Sequence, residues 1–136
     1  MSKLPVISLI ANWICDYFED GATSLDEFTD RQTVASLADW TFDRRLSDGW
    51  VAWLQRRFDL PMLNHIMCVN YTLQVDDAPY GAILDINGRE FGQMQTPFTM
   101  DVTDFIALED NAISFRVPCH ATGQFQGIRL VAVPCE

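Results

Sequence analysis

Lysine is almost absent from this chain. Lys3 is the single one, and no run of basic residues occurs. Binding to a nucleic-acid backbone needs Lys and Arg clustered against the phosphates. With 9 basic residues against 19 acidic ones and a net charge of −10, that class of partner is not expected. Histidine is scarce too: only His65 and His120 are present, and none of the four cysteines forms a C-x-x-C pair. A zinc site therefore lacks its usual ligands. No stretch reaches the ~18 apolar residues that a membrane helix requires. Three motifs are also missing: G-x-S-x-G, a glycine-rich phosphate loop and H-E-x-x-H. The usual signatures of hydrolases, nucleotide binders and metalloproteases go with them.

The neighbouring pairs that suggest chemistry fail on geometry. Asp76-Asp77 is a carboxylate pair, but adjacent residues of a strand point to opposite faces. It reads as a solvated turn before Pro79. Cys119-His120 places a thiol beside an imidazole, yet adjacent side chains diverge there too, so a nucleophile–base dyad is not expected. Catalysis is not the expected role.

Hydrophobic residues are plentiful. They make up 49% of 136 residues, with 21% charged, enough for one domain spanning 1–136 with a sizeable core. Ile7, Leu9, Ala11, Trp13, Cys15 and Tyr17 share one parity and predict a strand with one face buried over 7–18, with a helix as the alternative. Residues 19–30 read as an acidic loop. Val34, Leu37 and Ala38 predict a turn or two of helix within 33–40. Residues 50–60 predict a strand ended by Pro61, with Ala52, Leu54, Arg56 and Phe58 on one face and Val51, Trp53, Gln55 and Arg57 on the other. Residues 66–75, 82–86, 112–117 and 128–133 predict further strands. Asn87-Gly88 supplies a type I′ hairpin turn, with 89–91 leading out of it. Residues 97–103 read as a connection in which Asp101 and Thr103 satisfy free backbone N–H groups, as Asn111 does nearby. Seven or more short strands with turns between them imply an all-β, antiparallel β-sandwich.

Cys15 and Cys68 lie in apolar runs and read as free, small hydrophobes. Spacing gives no indication of a Cys119–Cys135 disulfide. The segment 1–15 has a short apolar run but no small-x-small cleavage site before Asp16, so a cytoplasmic location is expected.

Several stretches carry a family resemblance. They are Trp53-Leu54-Gln55-Arg56-Arg57-Phe58-Asp59-Leu60-Pro61, the hairpin from Ile83 to Gly92, the segment Pro97-Phe98-Thr99-Met100-Asp101-Val102-Thr103-Asp104-Phe105-Ile106, and Asp110-Asn111-Ala112-Ile113-Ser114-Phe115-Arg116-Val117. Together they resemble the sugar-binding jelly-roll domain of family-two glycoside hydrolases, within the galactose-binding-like superfamily. The likeness is strong over 50–134 and weaker before it, where Leu37, Asp39 and Trp40 match an L-x-D-W. The sequence departs from the pattern at Glu109-Asp110, where a glycine is usual, and at Gln93-Met94-Gln95-Thr96, which replaces a glycine-rich turn. The resemblance implies a jelly roll and a non-catalytic domain, because catalysis in that family resides in a separate barrel. A fold does not by itself give a function.

A carbohydrate site needs an aromatic face for the C–H side of a pyranose and planar polar groups for its hydroxyls. Trp13 and Trp40 suit the core. Trp50, Trp53 and Tyr80 are the candidate platforms, with Arg56, Arg89, Gln93 and Gln95 as candidate hydrogen-bonding groups. Related sandwiches hold a structural calcium. Asp16, Glu19, Asp20 and Asp26 gather carboxylates of the right type around one loop, without a spaced D-x-D-x-D pattern. No other cofactor is expected. The alternative is a protein–protein module or structural subunit of a larger assembly, with Trp50, Trp53, Tyr80 or Phe125 against a neighbour. Either reading is compatible with a homo- or hetero-oligomer.

Overall fold

The computed structural model describes residues 6–19, 32–46, 49–61, 68–119 and 121–135. Ten strands occur among them: β1 (Val6–Ser8), β2 (Ala11–Glu19), β3 (Gln32–Ser36), β4 (Trp50–Phe58), β5 (Val69–Asp77), β6 (Ile83–Ile86), β7 (Arg89–Gln93), β8 (Phe98–Asp101), β9 (Asn111–Pro118) and β10 (Gln126–Pro134). They form two antiparallel sheets. Sheet A has four strands in the order β1-β10-β5-β8, and sheet B has six in the order β3-β2-β4-β9-β6-β7. This is the all-β sandwich expected from the alternation.

The core lies between the sheets. Alternate residues supply it: Ala52, Leu54 and Phe58 from β4, Leu73 and Val75 from β5, Ile113, Phe115 and Val117 from β9, Ile128 and Leu130 from β10. Trp13 stacks on Phe115 with ring centroids 5.4 Å apart, and its Nε1 donates to Leu9 O at 2.6 Å. Each buried aromatic adds area and a fixed contact geometry.

The first predicted strand is two strands. β1 pairs with β10 in sheet A, and β2 pairs with β4 in sheet B. Between them Leu9 N donates to Ile128 O and Ile10 O accepts from Leu37 N. Leu9, Trp13 and Cys15 keep their predicted burial. The alternation thus survives while the chain changes sheets, and period alone cannot reveal the crossing. Residues 32–36 form β3 against β2, so the helical expectation holds only for the 3-10 turn Leu37–Asp39, capped by Ser36 Oγ on Ala38 N at 3.2 Å. The segment 97–103 contains β8, which pairs with β5.

The cysteine reading needs correction. Cys68 and Cys135 form a disulfide, with Cα atoms 5.3 Å apart. Cys68 precedes β5 and Cys135 follows β10, and these adjacent strands bring together residues far apart in sequence. Cys15 is free and buried, and burial raises its pKa to about 11. Phe125, expected at a protein interface in the alternative reading, is fully buried against Phe115 and Trp40.

The turn chemistry follows the sequence closely. Asn87 and Gly88 have φ of 53° and 86°, as a type I′ turn requires. Asn87 Oδ1 accepts from Ala112 N, and its Nδ2 donates to Phe105 O and Asn111 Oδ1. Buried Asn111 also binds Ala107 N and O. Asp101 Oδ1 accepts from Thr103 N and Oγ1, while Thr103 Oγ1 accepts from Tyr71 N. These polar residues hold the loop that leads from β8 into β9.

Candidate functional site on the outer face of sheet B

Where one strand face is buried, the other must face outward. On β4 the outward residues are Trp53 and Gln55; on β9 they are Ser114 and Arg116; on β6, Ile83 and Asp85. The register lays them in two rows. One runs Asp16, Trp53, Arg116, Ile83, Gln93, and the other runs Ile14, Gln55, Ser114, Asp85, Glu90. The β6–β7 pairing shifts register between Leu84 and Asp85, which places Glu90 opposite Asp85.

The rows enclose a groove of about 240 Å³, lined by Trp53, Ile83, Asp85, Glu90, Ser114 and Arg116 with Gly88 at its rim. Trp53 is half-buried. Phe18 meets its ring edge-on at 6.1 Å, and the Arg116 guanidinium lies 5.9 Å from its centroid. Its Nε1 is buried and has no hydrogen-bond partner among the described residues. Arg116 Nη2 contacts Glu90 Oε1 at 3.3 Å. Gln55 Nε2 donates to Ser114 Oγ at 3.4 Å. Asp85 Oδ1 accepts from Gly88 N at 2.9 Å. Burial first, and then the negative charge of Glu90, raise the Asp85 pKa above the usual carboxylate range, against the lowering effect of the Gly88 N–H. The groove thus combines one aromatic face, one guanidinium, two carboxylates and a hydroxyl.

The other predicted residues are dispersed. Gln93 lies on the same face, at the edge-strand end of the Trp53 row. Trp50 has core-facing parity and packs partly buried against the core. Arg56 Nη1 donates to Ser8 O at 3.2 Å and Ala11 O at 2.8 Å, bracing the crossing between β1 and β2. Arg89 stacks on Phe105 at 4.7 Å and Phe91 at 5.9 Å, outside the groove. Gln95 is exposed in the loop after β7. Tyr80 is 79% exposed at one end of the sandwich, where its N–H donates to Thr122 O at 2.8 Å. Near that loop a second, more open depression of about 350 Å³ is lined by Trp40, Thr41, Phe42, Arg44, Gly123 and Gln124, with Ala121. Of the proposed calcium ligands, Asp16 is buried and accepts from Tyr17 N at 2.7 Å, while Asp20 and Asp26 lie outside the described residues.

Sequence reasoning missed Asp85, Glu90, Ser114 and Arg116 as one group. The signal was present as polar residues at alternate positions of apolar strands. Their proximity depends on strand order, which alternation does not encode.

No family model matches the chain, and no curated protein matches it. Solved structures do. The β-glucuronidase of Bifidobacterium dentium, complexed with coumarin-3-O-glucuronide, aligns at TM-score 0.75 and 14% identity, over 100% of this chain and 31% of that one. A Faecalibacterium prausnitzii β-glucuronidase aligns at TM-score 0.72 and 18% identity, over 98% of this chain and 32% of that one. A Bacteroides vulgatus β-glycosidase aligns at 0.68 and 14%, over 96% and 20%. At these identities the likeness is one of fold. The chain corresponds to a domain-sized piece, between a fifth and a third, of those much longer enzymes.

Proposed function

We propose that this chain is a non-catalytic recognition module that binds carbohydrate in the groove on the outer face of sheet B. The observation that carries the reading is the half-buried Trp53 ring set among planar and hydroxyl hydrogen-bonding groups. An indole face suits the C–H side of a pyranose, and Arg116, Asp85 and Glu90 can donate to or accept from its hydroxyls, while the buried Ser114 hydroxyl braces Gln55 beneath them. The shared fold with one part of glycoside-processing enzymes supports an accessory role.

A non-catalytic role also fits the carboxylates. Asp85 and Glu90 are cross-strand partners on one open wall. A glycosidase flanks the scissile bond with its two carboxyls. Two acids side by side on one sheet face would meet a stacked sugar from the same side.

A second reading, docking to a protein, rests on Val6 and Val133. Both are exposed hydrophobics, on the edge strand and its neighbour in sheet A. Val131, the cross-strand partner of Val6, joins them in a small apolar strip beside polar Ser8, Arg129, Thr72 and Gln74, and no groove is associated with it among the described residues, so this reading has less support. In either reading the Cys68–Cys135 bridge favours an oxidising compartment over the expected cytoplasm.

Saturation-transfer NMR against pooled oligosaccharides tests the proposal. Transfer to a sugar that disappears in Trp53→Ala, with the fold retained, supports it. No transfer to any pool overturns it and leaves the protein-docking reading.

A further inference from the structure

The groove's charge points to the kind of sugar it takes, an inference that rests on the carbohydrate reading above. Two of its lining residues are acidic and one is basic, so the wall itself is net negative by one unit. Asp16, the cross-strand partner of Trp53, lies in the same row but is buried and accepts from Tyr17 N, so it adds no open charge to the wall. The single guanidinium is already engaged, with Glu90 at 3.3 Å and over the Trp53 ring. Among the described residues, the neighbouring cations are occupied elsewhere: Arg57 pairs with Asp110 at 2.8 Å, and Arg89 stacks on Phe105.

Acceptor capacity remains on the wall. Asp85 accepts one hydrogen bond among the described residues, through Oδ1, and Glu90 one, through Oε1. A ligand carboxylate would therefore meet two carboxylates and a single cation that is already paired with Glu90. A ligand ammonium would find free carboxylate oxygens on two adjacent strands of that wall. We propose that the groove selects an aminated pyranose with a free ammonium group, accepts a neutral pyranose less well, and rejects a uronate.

The upward shift of the Asp85 pKa agrees with this. It reports a burial and like-charge cost that an incoming cation would relieve. Like charges directly across a strand pair also work against the sheet. Such an arrangement is what a binding surface tolerates and a purely structural face has no reason to keep.

The test is an NMR titration of the whole chain with the methyl glycosides of glucosamine, glucose and glucuronate. It is run at about pH 6, below the range of an ordinary amino group. The expected order of affinity is amine, neutral, uronate. Each step should be about fivefold, the effect of one unit charge at about 4 Å in water. The spread should shrink in about 1 M salt. In the Asp85→Asn/Glu90→Gln double variant all three glycosides should bind more weakly, because both side chains meet sugar hydroxyls, and the order should collapse. Asn at 85 keeps a carbonyl for the Gly88 N–H, and Glu90→Gln alone with the salt series serves if the double variant does not fold. Equal or tighter binding of the uronate overturns the charge inference while leaving carbohydrate recognition intact, as does an order that survives the variants. Failure of all three to bind overturns both.

Discussion

The two outer faces of the sandwich each place an arginine across the strands from an aspartate, and they treat it differently. On sheet A, Arg129 has every nitrogen engaged: Nε donates to Gln74 Oε1 at 2.8 Å, Nη2 to Asp76 Oδ1 at 2.9 Å, and Nη1 to Asp76 Oδ2 at 3.0 Å and Gly127 O at 3.4 Å. That pairing holds the Asp76 carboxyl below its usual pKa. On sheet B, Arg116 makes one 3.3 Å contact with Glu90, and Asp85 is pushed the other way by burial. Sheet A is also closed covalently, because Cys68 and Cys135 tie the start of β5 to the end of β10. One face satisfies itself. The other leaves carboxylate acceptors open beside a half-buried aromatic ring, which is the condition for binding something else.

The largest effect should come from breaking the closed side. The disulfide spans 67 residues of sequence. In the chain-entropy account a loop of that size is worth about 4 kcal/mol. Urea unfolding with and without reductant, or of Cys68→Ala/Cys135→Ala, should show a loss of that order. An unchanged midpoint would mean the bridge contributes nothing to sheet A.

Next, Trp53→Ala should weaken sugar binding at least tenfold, or about 1.4 kcal/mol, when followed by NMR titration. Arg129→Met on the opposite face should leave that affinity unchanged. The same Arg129→Met should cost about 1 kcal/mol of stability, discounted for partial exposure. Arg116→Met should cost less stability than that but impair binding. Equal stability losses for the two arginines would remove the contrast between the faces.

The smallest effect is in the pH dependence. Asp85 binds its proton more tightly in the folded chain than in the unfolded one, so its ionised form opposes folding. Its contribution to stability should fall as pH rises from the ordinary aspartate value of 3.8 through its raised folded value. Asp85→Asn should remove that slope. Glu90, Ser114, Arg116 and the Gly88 N–H are the groups facing it. Asp76 carries the opposite sign. Its contribution is present above 3.8 and is lost as pH falls through its lowered folded value. Asp76→Asn should flatten stability on the acid side. Urea midpoints measured across this range would separate the two.

Much of this architecture was legible in local patterns. The β4 alternation, the Asn87-Gly88 turn and the polar loop residues Asp101, Thr103 and Asn111 each obey short-range rules that the packed structure preserves. Four features were not legible, and each depends on contacts distant in sequence. β8 is an edge strand defined by its pairing with β5. The crossing at Leu9-Ile10 leaves burial parity almost untouched. Cys68 meets Cys135 only because β5 and β10 are neighbours. The groove draws its wall from β4, β9, β6 and β7, so Trp53 and Gln93 could be proposed singly but their acidic and basic companions could not.

The most direct test of the central claim is a set of 1H–15N correlation spectra of the chain titrated with a bound oligosaccharide. If the outer face of sheet B is the site, the Trp53 indole N–H and the backbone amides of Asp85, Ser114 and Arg116 shift together, and those of Gln74 and Arg129 stay fixed. Shifts confined to sheet A or to the loop end around Tyr80 and Gly123 would contradict it.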